Sequence, residues 1–157
     1  MRTLRRIVVV LLAIAVAVLG AGFAGLFSGS PPANPGPRDG ALAPCPATPN
    51  CVSSRASDPG QKIAPIVYAG TAEAALARMA RAIAAQPGAT IVAQRDGYIY
   101  ATFRSRWLGF VDDLEVLDDP ARGVLDLRSA SRLGRSDFGV NRARAASIAA
   151  AFAAARP

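Results

Sequence analysis

The chain predicts an α+β fold: an antiparallel β-meander of about four strands, with a fifth short strand ahead of it, packed against two helices and preceded by an N-terminal transmembrane helix. Three observations predict it. An uncharged run, Ile7 to Phe27, follows the arginine-rich start Met-Arg-Thr-Leu-Arg-Arg. Two stretches of helical periodicity lie on either side of the β-prone middle. In that middle, apolar residues alternate with polar ones, which marks a sheet with one buried face, whereas parallel strands would be apolar throughout.

The first element is the membrane segment, residues 1–27. As a helix, 7–27 would rise about 31 Å, enough to cross a hydrocarbon core. Arg2, Arg5 and Arg6 precede it and only Arg38 follows soon after, so the N-terminus should stay inside and the rest of the chain should be exported. The chain is therefore expected to cross the membrane once, with its C-terminal domain outside the cytoplasm. The run also fits a signal peptide cleaved at Gly22-Phe23-Ala24, releasing a periplasmic or secreted domain. Because it continues through Phe27, retention as an anchor is the favoured reading. Residues 28–44 are rich in proline and glycine and read as a semi-rigid tether.

Residues 45–157 read as one α+β domain. Cys45 and Cys51 are the only cysteines and, in an exported chain, read as a disulfide. Ile63–Tyr68 fits a short first strand. Thr71 caps a helix running to about Gln86, with Leu76, Met79, Ala80 and Ile83 as its buried stripe. Pro87-Gly88 stops it. Thr90–Arg95 and Tyr98–Arg104 follow, joined by the hairpin signal Asp96-Gly97. Ile99, Ala101 and Phe103 should face the core, while the alternation of the preceding strand leaves its register open. Phe110–Leu117 and Val124–Ser131 complete the meander. Ser136 is placed as the cap of a last helix whose stripe includes Val140, Ile148 and Phe152.

The net charge is +7, almost wholly arginine, with Lys62 the sole lysine. Part of that charge belongs to the targeting segment, and acidic residues interleave with the rest, so no nucleic-acid partner is expected. The chain has no histidine. That removes Ser-His-Asp and Cys-His catalysis and every histidine-based metal site. Asp112, Asp113 and Glu115 are not expected to make a calcium site: Asp112 and Asp113 point to opposite faces, and Asp113 and Glu115, on one face, are only two carboxylates. No metal and no cofactor are expected. A serine nucleophile would have only Lys62 as base, in no recognisable motif.

Candidate ligand-binding residues come from strand parity. Tyr98, Tyr100, Arg104, Asp113, Glu115, Arg128 and Arg132 share the face opposite Ile99, Phe103, Leu114, Val116, Leu125 and Leu127. Such a face is either a solvated lattice of ion pairs or a surface where arginines grip an anion and tyrosines stack. Arg128, Arg132, Asp137, Asn141 and Arg142 form a second polar set at the junction of the last strand and last helix. Ser129 and Ser131 should point toward the core.

Three separated motifs carry a resemblance: Cys45-Pro46-x-x-Pro49-Asn50-Cys51-Val52-Ser53-Ser54; Gly109-Phe110-Val111-Asp112-Asp113-Leu114-Glu115; and Arg128-Ser129-Ala130-Ser131-Arg132-x-Gly134-x-Ser136-Asp137-x-Gly139-Val140-Asn141-Arg142. In these the chain resembles the bacterial and plastid family called domain of unknown function 1499, from Cys45 to the last helix. The resemblance implies no established reaction, but it does imply a bacterial setting: the inner membrane, single-pass, with the C-terminal domain in the periplasm. Members often carry Asp-Pro-x-His-x-Ile-x-Pro, and the matching stretch here, Asp58 to Pro65, lacks the histidine. The expected function is a membrane-tethered, non-catalytic module that binds an anionic ligand or envelope partner. The alternative is a histidine-independent hydrolase or transferase using carboxylates and arginines.

Overall fold

The computed structural model describes residues 1–155. Its elements are α1 (Arg2–Phe23), β1 (Cys51–Ser53), β2 (Ile66–Val67), α2 (Ala72–Ala84), β3 (Ala89–Arg95), β4 (Tyr98–Arg104), β5 (Val111–Asp119), β6 (Val124–Ser131) and α3 (Val140–Ala154). One antiparallel sheet runs in the order β1-β6-β5-β4-β3, with β2 also paired to β6. The fold is therefore α+β, with six strands.

The meander forms where alternation and the Asp96-Gly97 turn place it. Gly97 has φ +72°, the left-handed conformation such a turn needs. β3 carries a bulge between Ile91 and Ala93, which inserts one residue and shifts every later side chain to the other parity. That is why its alternation is not clean. β2 keeps only two residues of the predicted 63–68 strand. β1 was not predicted: three residues beside a disulfide show no periodicity to read, yet they pair with Arg128–Ala130 of β6.

Thr71 caps α2, its hydroxyl accepting the Ala74 N–H at 3.2 Å. α2 ends at Ala84, ahead of the predicted Gln86. Gly88 then passes so close to β4 that a Cβ there would lie 2.4 Å from the Arg104 carbonyl oxygen. α3 corrects the sequence reading in two ways. Its cap is not Ser136, which accepts the Phe138 N–H; Gly139 holds the cap position, and the Asp137 carboxylate ahead of it accepts from Gly139 and Asn141 at 3.0 and 2.8 Å. Val140 is half exposed, and the buried stripe is Asn141, Ala145, Ile148 and Phe152. A stripe that opens on a polar residue is invisible to a search for apolar period.

The core packs Leu76, Met79 and Ile83 of α2 and Ile148 and Phe152 of α3 onto one sheet face. That face presents Ile99, Ala101, Phe103, Leu114, Val116, Leu125 and Leu127. The other face is not bare. Leu42 seals Tyr98, Tyr100 and Leu117 into a second small cluster, and the Gly36 N–H donates to Glu115. Residues 28–44 are thus packed onto the sheet at these points and do not act only as a spacer. Cys45 and Cys51 are disulfide-bonded, with Cα atoms 5.6 Å apart.

α1 stops at Phe23, and Ala24 to Ser28 form tight turns. Four residues of the apolar run read as helix are therefore outside it. Gly25, at φ +86°, marks the point where the helix gives way.

Candidate functional site

Each predicted site residue has a definite place. On the outer sheet face two carboxylates each collect a tyrosine and an arginine. The Tyr98 hydroxyl donates to Glu115 Oε1 at 2.7 Å, and Arg128 Nη1 approaches Oε2 at 3.4 Å. The Tyr100 hydroxyl donates to Asp113 Oδ1 at 2.6 Å, and Arg132 grips both oxygens of Asp113 through Nε and Nη2. Glu115 faces both Tyr100 and Arg128 across the register, and Asp113 faces Thr102 and Ala130. Burial, followed by the hydrogen bond to Asp113, pushes the Tyr100 hydroxyl up to about 12. Burial and then Glu115 raise Tyr98 further. The Asp113 hydrogen bond raises Arg132. All four charged side chains are largely covered, Arg128 being 14% exposed and Arg132 11%. The Arg128 Nε is buried and has no hydrogen-bond partner among the described residues.

Arg104 shares that parity but not that company. At the end of β4 it turns to α1, donating from Nη2 to the Gly22 carbonyl at 2.9 Å and from Nη1 to Ser28 at 3.0 Å. A cation on the last carbonyls of a helix satisfies acceptors the helix leaves open.

The junction set divides as well. Asn141 is fully buried; its Oδ1 accepts from Ser129 at 2.6 Å, and its Nδ2 donates to Ser131 and to the Asn50 carbonyl. Arg142 instead points away, donating to the carbonyls of Gly60 and Lys62. Burial raises the Asp137 carboxyl, but the N–H groups of Asn141 and Gly139 outweigh it and hold the group below the usual range. Arg128 and Arg132 lie on the opposite sheet face, so the two polar sets are separate clusters.

Sequence reasoning missed three features. Asp126 is fully buried on the outer face, held by Ser54, Arg55 and Arg122. Burial raises its carboxyl, and those hydrogen bonds more than reverse the effect. Asp112 lies on the core side, paired to Arg144 at 2.5 Å. The third is a groove of about 870 Å³ between the ends of β4, β5 and β6 and the start of α3. Phe103 and Val111 line it deep down, with Arg144 across the Phe103 ring, 4.5 Å from its centroid. Phe110, Leu133, Phe138 and Val140 stand at its rim, 40%, 41%, 97% and 50% exposed. Phe138 adopts φ +53°, an unfavourable conformation for a bulky side chain that is nowhere repaid by packing. Arg104, Ser105 and Arg106 also line the groove, and a second depression of about 380 Å³ runs from them to Gly22 and Phe23 at the end of α1.

A family described as "Protein of unknown function (DUF1499)" matches residues 41–152, most of the chain. The chain belongs to this family. No curated protein and no solved structure matches it. Within the DUF1499 match, the first resembling motif builds the disulfide loop and β1. The second builds β5 with both Asp112 and Asp113, and the third carries β6 into α3. Gln61 stands at the position where the resemblance implies a histidine. It is buried, and its amide donates to the carbonyls of Pro46 and Thr48 at 2.6 and 3.1 Å, holding the disulfide loop. In this chain that position does structural work.

Proposed function

We propose that this DUF1499 domain is a non-catalytic binding module, held on the outer side of the bacterial inner membrane by α1, that takes an amphiphile with an anionic head into the groove beside α3. The supporting observation is continuity: the apolar groove and the depression at the end of α1 share Gly88, Arg104, Ser105 and Arg106. A ligand that lives at a bilayer surface would meet the groove without leaving that surface. Phe103, Val111 and Phe138 suit an acyl chain, and Arg106 suits a phosphate or carboxylate. The positive start of the chain supports an inside N-terminus, and the disulfide supports an oxidising compartment.

The paired state of the outer face favours this reading over a histidine-independent hydrolase or transferase. Asp113, Glu115 and Arg128 are bonded to their own neighbours, Glu115 to the Gly36 N–H as well, and do not ring an open cleft. The test is thermal denaturation of the full chain in neutral detergent with added phosphatidylglycerol or phosphatidylcholine. The anionic lipid should raise Tm more than the neutral one, because a ligand that binds only the folded state stabilises it. Ala143 lies on the exposed side of α3 in the groove wall, so Ala143→Trp should fill the groove and abolish that rise while leaving the ligand-free Tm unchanged. Equal shifts with both lipids, or a shift that survives Ala143→Trp, would remove the groove from the account.

A further inference from the structure

The apolar part of α1 is shorter than the layer it has to cross. From Ile7 to Phe23 it rises about 25 Å, against a hydrocarbon core of about 30 Å. A short span is completed by thinning the bilayer or by what flanks the helix. Two segments flank it here. One is the turn after Phe23, with Leu26 and Phe27. The other comes from the domain: the loop 105–110 between β4 and β5.

That loop is locked to the end of the helix. Gly22 meets it so closely that a Cβ would lie 2.5 Å from the Leu108 carbonyl oxygen. Gly109, at φ +69°, has its own Cβ position 2.4 Å from the Gly22 oxygen. Arg104 holds the Gly22 carbonyl from the strand side, and Phe27 stacks on Phe110 with ring centroids 5.5 Å apart. Around this contact the large apolar side chains remain uncovered: Phe23 is 91% exposed, Leu26 70% and Trp107 67%. The Arg106 guanidinium lies 5.0 Å from the Trp107 ring centroid. An exposed indole beside a cation, level with the end of an apolar helix, has the composition of a membrane–water interface.

We propose that loop 105–110 is seated in the outer interface of the bilayer, with Trp107 among the lipid ester groups and Arg106 at the phosphates. The domain then stands in one orientation, its groove opening toward the lipid surface. This rests on α1 being a membrane anchor, and the experiment separates the two.

Trp107 is the sole tryptophan, so its fluorescence reports this loop alone. The full chain is reconstituted into phosphatidylcholine vesicles brominated near the headgroup end or near the tail end of the acyl chain, then floated through a density gradient. The expected result is a floating chain whose blue-shifted emission loses at least half its intensity to the shallow bromines, less to the deep ones, and little to aqueous iodide. A chain that does not float overturns the anchor and this inference together. A floating chain with iodide-quenched, water-like emission overturns this inference alone. Shielding from both quenchers would place a protein surface over Trp107 and also overturn it. Gly22→Leu should still float but lose the bromine quenching as the loop is pushed off the helix end; unchanged quenching would refute the docking geometry.

Discussion

At the scale of residues, two arginines that share strand parity prove unequal. Arg132 binds Asp113 through Nε and Nη2 at 2.8–3.1 Å, whereas Arg128 reaches Glu115 at 3.4 Å and leaves its Nε unpaired. Among the described residues Asp113 has one other partner, the Tyr100 hydroxyl, while Glu115 keeps both Tyr98 and the Gly36 N–H. Removing one partner of a buried pair costs about 3–5 kcal/mol when the remaining charge is left uncompensated. Arg132→Gln should approach that range and Arg128→Gln should cost about 1 kcal/mol, the worth of an ordinary hydrogen bond. Chemical denaturation of the two variants checks the ranking, and equal costs would refute it. Acid should act through Asp126, Asp119 and Asp137, all held below their ordinary values in the fold. The unfolded chain then binds more protons than the folded one at low pH, so their contribution is complete above the unfolded value of about 3.9 and is lost as pH falls through the folded values. A Tm that declines below about pH 4 is expected, with a smaller decline in Asp126→Asn.

At the scale of elements, legibility followed periodicity. β4 and β6 run between the residues the sequence predicts, because Ile99-Ala101-Phe103 and Leu125-Leu127 alternate and hard turn signals bound them. β3 was blurred by its bulge, and β1 by its brevity. The outer-face pairing was legible as a shared parity, since cross-strand partners follow from register. What covers that face was not: Leu42 and Gly36 sit in a proline-rich stretch whose composition shows no sign of packing. Nor was the groove, because its walls come from β4, β5, β6 and α3, brought together only by tertiary structure. The disulfide was legible because the chain offers one pairing. Its loop is anchored by Gln61 and runs directly into β1, so the staple supports an edge strand. Cys45→Ser should therefore lower stability by about 2–3 kcal/mol on the chain-entropy account without abolishing the fold. A variant with unchanged Tm would show that Gln61 and the β1–β6 pairing suffice alone.

At the scale of the whole molecule, the structure joins three parts that the sequence presents as a series: an apolar helix, a semi-rigid tether and a domain. Gly22 and Gly109 let backbones meet at the helix end, Arg104 closes the last carbonyls, and residues 36 and 42 return to the sheet. The outcome is a groove whose position relative to the helix is set by packing. The proposed occupant of this groove is an anionic amphiphile. Native mass spectrometry of the full chain, released from micelles carrying equal amounts of phosphatidylglycerol and phosphatidylcholine, tests it most directly. One retained lipid per chain is expected, predominantly the anionic one, with its loss in Ala143→Trp. Retention without headgroup preference, or retention unchanged by Ala143→Trp, would contradict it.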